Sequence, residues 1–164
     1  MKKRTVKNLS SIICLLIFAS FTLSAIAQNP DFSGKWKLND TKSKVGAEFS
    51  FAPKSLTIAH EGNLMTVERV SEFQGQEFTR KSAYTLDGKE SKNEGFQGRE
   101  NVSVAQWSDD GQSLTIVTAI ETQNGEMHIK GVYSMEGGNL VVVNGMEGGP
   151  MGDREPETWV FDKE

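Results

Sequence analysis

Asp31-Phe32-Ser33-Gly34-Lys35-Trp36-Lys37-Leu38-Asn39 decides the fold. Gly34, Trp36 and Leu38 fall on one face of this stretch, and Lys35 and Lys37 fall on the other. Period 2 with lysines outward is the signature of a half-buried strand. Its single Trp is a natural plug for a barrel built from the rest of the chain. That remainder is a run of short strand-like segments joined by tight turns.

Outward from that stretch, strands are expected over 55–60, 64–70, 77–86, 101–107, 113–122, 126–135, 139–144 and 158–162, with a weak edge-like strand over 89–94. Glu61-Gly62-Asn63, Gln74-Gly75-Gln76, Asp109-Asp110-Gly111 and Glu136-Gly137-Gly138 turn the chain. Asp87-Gly88 and Asn124-Gly125 are two-residue hairpin signals, because Gly suits the positive φ such turns need. No segment shows a 3.6-residue period. The expectation is an all-β fold: one up-and-down meander barrel of about 8–10 antiparallel strands. A meander must dispose of its two edges, and the simplest way is to pair 34–38 with 158–161. Two longer connections remain. Residues 39–53 carry Phe49 and Phe51 as anchors under the barrel or over its mouth, and 145–156 is a Gly-rich loop with Met146 and Met151 that could serve as a pliable lid.

The first 27 residues read as a leader outside the fold. Lys2, Lys3, Arg4 and Lys7 precede an apolar run over 12–18, and Ala25-Ile26-Ala27 is a small-x-small cleavage site. The run is shorter than the roughly 20 residues of a membrane span. Export to a periplasm or the cell exterior is the expectation, with residues 28–164 as a single domain. With those four residues taken from the 18 basic ones, 14 remain against 22 acidic, a net charge near −8. That balance disfavours nucleic acid and anionic membrane as partners. The one cysteine, Cys14, lies in the leader, so the domain has no disulfide and no thiolate nucleophile.

Phe32 to Leu38 resembles the Gly-x-Trp opening of lipocalins and fatty-acid-binding proteins. The continuation Asn39-Asp40-Thr41-Lys42-Ser43-Lys44 is similar to the start of small exported bacterial lipocalin-like proteins, as are residues 53–58, 84–90 and 108–116. The resemblance implies a barrel with an internal cavity for a small apolar or amphipathic ligand. It also implies a basic residue of the last strand over the Trp, for which Arg154 and Lys163 are the candidates, and it makes Gly34 and Trp36 the closure of the barrel.

Function would then lie on the inward face. Phe78, Arg80, Ser82, Tyr84 and Leu86 share one face, and Met65, Val67 and Arg69 share another. An Arg in an apolar cavity is costly unless paired, and its fork suits a carboxylate. Arg80, with Arg69 and Tyr84 or Tyr133, is the expected anchor for an acidic head, with Phe78, Trp107, Met127 and Ile129 along the tail. The competing reading places these arginines at strand ends, in water, beside Glu68, Glu72 or Glu77. His60 and His128 are expected to be exposed, with no metal site. No nucleophile elbow, phosphate loop or spaced carboxylate set is present, so no catalysis and no cofactor are expected. The alternative to an internal ligand is a filled barrel acting as a structural or protein-interaction module of the envelope.

Overall fold

The computed structural model describes residues 29–46, 50–95, 98–123, 125–150 and 152–164. The expected leader, Phe49, Phe96, Gln97, Asn124 and Met151 lie outside them. Ten strands run in order: β1 (Gly34–Leu38), β2 (Ser55–Glu61), β3 (Leu64–Phe73), β4 (Gln76–Thr85), β5 (Glu90–Glu94), β6 (Glu100–Trp107), β7 (Ser113–Thr122), β8 (Gly125–Glu136), β9 (Asn139–Gly148) and β10 (Arg154–Lys163). They form one antiparallel sheet in the order β4-β3-β2-β1-β10-β9-β8-β7-β6-β5, a nearly closed up-and-down barrel.

The expected seam is present. β1 pairs with β10, setting Trp36 opposite Lys163 and Leu38 opposite Phe161. A polar clasp locks it from outside. The Asp162 carboxylate accepts from Lys42 Nζ at 2.8 Å, Asn39 Nδ2 at 2.6 Å and Asn139 Nδ2 at 2.5 Å. Those bonds, led by Lys42 and Asn39, hold its carboxyl below the usual carboxylate range. Ser43 Oγ donates to the Asn39 carbonyl and accepts from Val160 N–H. The Asn-x-x-Lys-Ser string is thus a turn that fastens the two ends of the sheet together.

The gap in the barrel falls between β4 and β5, consecutive in the chain, where an Asp-Gly hairpin was expected. The Gly88 N–H is drawn to the Ala105 carbonyl at 3.0 Å, and β5 pairs with β6 instead. Side chains bridge the gap. Asn93 Oδ1 accepts from Ala83 N–H at 2.7 Å and its Nδ2 donates to the Ala83 carbonyl at 3.0 Å, while Ser91 Oγ accepts from Thr85 N–H at 2.9 Å. A second correction concerns 145–156. Most of it is strand, with Met146 buried in the wall and Pro156 placed at a register shift between Arg154 and Glu157. Proline is tolerated at such a bulge because no ladder N–H is required there.

The turns at 61–64, 108–113 and 136–139 gather at one end, the floor. Those at 73–76, 122–125 and 148–154 gather at the other, the rim. The floor is solid. Phe32, Trp36, Met65, Leu114, Leu140 and Phe161 are fully buried there. Trp36 Nε1 donates to the Phe32 carbonyl at 2.9 Å, and Lys163 Nζ lies 5.4 Å from the Trp36 ring centroid. Lys163, not Arg154, is therefore the basic residue over the Trp. Gly34 makes room for it: its φ is +142°, and a Cβ there would stand 3.0 Å from Lys163 Cε.

Candidate functional site

Inward positions on the long strands change character from floor to rim. On β3, Met65 and Val67 are fully buried, Arg69 and Ser71 are half-buried, and Phe73 is exposed. On β4, Tyr84 and Ser82 are buried, Arg80 is half-buried and Phe78 is 46% exposed. β7 runs from buried Leu114 and Ile116 to half-buried Thr118 and Ile120. β8 runs from buried Tyr133 and Gly131 to half-buried Ile129 and Met127. The interior is filled toward the floor, and toward the rim, the cup end, its inward side chains become progressively exposed.

Arg69 sits where the two regions meet. Its Nη2 donates to Tyr133 Oη at 2.8 Å and its Nη1 to Tyr84 Oη at 3.3 Å. Its guanidinium carbon lies 5.9 Å from the Tyr84 ring centroid. Tyr84 is on the neighbouring strand. Tyr133 is on β8, with β2, β1, β10 and β9 between it and β3, so the side chain crosses the barrel. Part of Arg69 reaches solvent, but its guanidinium is packed in.

Among the described residues no carboxylate stands within ion-pair distance of Arg69. Glu72 and Glu77, named as its alternative partners, both pair with Lys54. Burial opposes the guanidinium's charge, but the oxygens of Tyr133 and Tyr84 outweigh it and hold its pKa above the ordinary arginine value. Burial likewise pushes the Tyr133 phenol up, against the opposing pull of Arg69. The centre is a cation facing two phenol groups, of which burial keeps Tyr133 protonated at neutral pH. Each phenol accepts from Arg69, and Tyr133 keeps its own proton to donate. The result is a set of convergent donors carrying a positive charge with no acceptor of opposite charge.

Arg80 shares this face. It stands directly opposite Arg69 in the β3–β4 ladder, where Cα atoms lie about 5 Å apart. Phe78 keeps the predicted face, but β4 outruns the barrel there and leaves it on the rim. Trp107 lies elsewhere, on the floor, stacked 5.6 Å from Phe32 and 6.0 Å from His60 by ring centroids. His60 corrects the expectation of an exposed strand end: its side chain is 12% exposed, with Nδ1 3.8 Å from Asp31 Oδ1. His128 is on the surface beside Glu126. Among the described residues no group of three or more His, Cys, Asp or Glu could hold a metal ion.

Gly131 was not singled out from the sequence, although an inward Gly two residues before Tyr133 was the available signal. A Cβ there would stand 3.1 Å from Tyr133 Cε2, closer than the ring accommodates without shifting. Gly131→Ala is expected to move the phenol off Arg69 and raise its pKa further, because the guanidinium's opposing pull is lost while the burial remains. Spectrophotometric titration of the tyrosines measures this; an unchanged curve would remove Gly131 from the site.

Two concavities lie at the margins of the barrel. One of about 20 Å³ on the rim is lined by Phe51, Asn144, Met146, Arg154, Glu155 and Glu157. One of about 300 Å³ lies against β6 and β7, lined by Val104, Gln106, Trp107, Ser108, Thr115 and Val117. Phe51 is exposed at the rim, with the Arg154 guanidinium carbon 5.8 Å from its ring centroid.

No family model matches the chain, and no curated protein matches it by sequence, so the expected kinship with exported bacterial proteins gains no support. Solved structures do match. A secretory abundant heat soluble (SAHS) protein from Ramazzottius varieornatus, crystallised from a dimer sample, aligns with TM-score 0.58 and 13% identity over 84% of this chain and 98% of that one. SAHS protein 4 from the same organism aligns with TM-score 0.54 and 16% identity over 80% of this chain and 94% of that one. At these identities the likeness establishes the fold, and the chain is a lipocalin-like barrel of the kind seen in the SAHS structures.

Proposed function

We propose that this chain is an exported, noncatalytic binding protein whose cup takes the acidic end of a small apolar or amphipathic molecule against Arg69. One observation carries the reading: inside the barrel, among the described residues, the Arg69 guanidinium is bonded only to phenol oxygens. A buried charge is normally neutralised by the protein itself. Here an anionic ligand would supply the missing countercharge and accept the phenol protons. Charge-assisted hydrogen bonds are worth about 1.5–3 kcal/mol each. Ile120, Met127, Ile129 and Met146 offer the tail an apolar wall, at roughly 25 cal/mol per Å² buried. Export rests on the leader pattern, and the SAHS proteins, secretory by name, are consistent with it.

The test is competition against an environment-sensitive fluorescent amphiphile, using dodecanoate, dodecanol and dodecylamine. Dodecanoate is expected to compete better than dodecanol by about tenfold or more, near 1.4 kcal/mol. Dodecylamine should compete least. Equal competition by acid and alcohol would overturn the role of Arg69.

The packed floor favours a second reading, a filled barrel that works through its outer surface. Trp36, Tyr84, Tyr133 and Trp159 are all buried, and the larger concavity lies against the β6–β7 wall. Failure of all three amphiphiles to bind would select it.

A further inference from the structure

Arg80 turns the site from a single cation into a pair. Directly opposed residues of an antiparallel ladder project from the same face, and like charges so placed destabilise the sheet. Arg69 has only the two phenol oxygens as partners among the described residues. No hydrogen bond or ion pair joins either arginine to a carboxylate among the described residues. The inward acid of β10, Glu157, is already engaged: Oε1 accepts from Gly46 N–H at 2.9 Å, and Oε2 accepts from Ser50 Oγ at 2.6 Å and Trp159 Nε1 at 2.7 Å. Glu72 and Glu77 are held by Lys54.

A carboxylate has one charge and two oxygens in a plane, and one arginine fork engages both oxygens and balances that charge. Arg69 and Arg80 project from adjacent strands on one face, and Tyr133 reaches Arg69 from the far wall, so this face carries two positive charges and a phenol. A tetrahedral phosphate carries up to two negative charges and three acceptor oxygens. We infer that the head group is a dianion of the phosphate monoester class, held between Arg69 and Arg80, with Tyr133 donating to a third oxygen. This inference rests on the acidic-ligand reading above and sharpens it.

The experiment measures dodecyl phosphate, dodecanoate and dodecanol at pH 8 on the full domain and on Arg80→Gln and Arg80→Lys. The wild type is expected to bind dodecyl phosphate about tenfold or more tighter than dodecanoate. Arg80→Gln should abolish that preference while leaving dodecanoate nearly unchanged. Arg80→Lys, which keeps the charge, should retain most of it, and this arm decides the matter if the Gln variant folds poorly. Inorganic phosphate as competitor separates two sources of the same chemistry: displacement at micromolar concentration marks a free anion, and displacement only at millimolar concentration marks one carried on an apolar tail. Equal binding of the two acids, or a preference that survives Arg80→Gln, overturns the dianion assignment and leaves the acidic-ligand reading standing. If neither acid beats dodecanol, both fall.

Discussion

Replacing Arg69 with Met is expected to weaken dodecanoate binding by roughly 30-fold or more without lowering the melting temperature of the unliganded protein. Truncating one member of a buried charge pair costs about 2–5 kcal/mol of affinity, and here the other member is the ligand. Stability should move the other way. Among the described residues this desolvated cation has no counter-ion, and Met fills similar volume without that penalty. The buried phenols of Tyr84 and Tyr133 lose a donor, at about 1 kcal/mol each, which offsets part of that gain. Isothermal titration calorimetry and a thermal melt check both halves. A variant that binds as before would show that the anion sits elsewhere. One that melts far lower would show that Arg69 is a structural brace.

The largest loss of stability is expected from Trp36→Ala. The side chain is fully buried at the centre of the floor and donates to the Phe32 carbonyl. Removing an aromatic ring from such a site costs about 3–5 kcal/mol, because the cavity left behind does not collapse completely. The unpartnered Phe32 carbonyl adds about 1 kcal/mol. At about 2–4 °C per kcal/mol for a chain of this size, the melting temperature should fall by about 10 °C or more. Trp36→Phe keeps most of the volume and should lose much less. Urea unfolding followed by circular dichroism measures the difference. A loss below about 1 kcal/mol would mean that the floor closes without its plug.

Strand periodicity made much of this legible before any coordinates. Gly34-Lys35-Trp36-Lys37-Leu38 revealed a strand with an inward Trp, and alternation along 77–86 put Tyr84, Ser82, Arg80 and Phe78 on one face. Depth was not legible. Period 2 treats Phe78 and Tyr84 alike, yet one is on the rim and the other in the core, because β4 extends past the cylinder. Distance across the barrel was equally hidden. Arg69 reaches Tyr133 only because closure brings β3 and β8 to opposite walls, and nothing local in 64–73 encodes that. Trp107 has the right parity for the cup but sits at the floor end of β6. Arg69 rather than Arg80 proved the more deeply held of the two, a distinction set by the phenols across the interior. Asp87-Gly88 misled for a related reason: a turn residue announces a reversal of the chain, not which strand will receive its hydrogen bonds.

The bridge from Ala83 and Thr85 to Asn93 and Ser91 has a thermodynamic corollary. Elsewhere around the cylinder, parting two strands means breaking a row of amide bonds cooperatively. Along this line it means turning two polar rotamers, motions that exposed side chains make in picoseconds to nanoseconds. The wall therefore has one direction in which it yields first, and local opening there draws on a small fraction of the global unfolding free energy. Small openings of the barrel are expected to run sideways along that line while the plugged floor and the clasped seam stay shut.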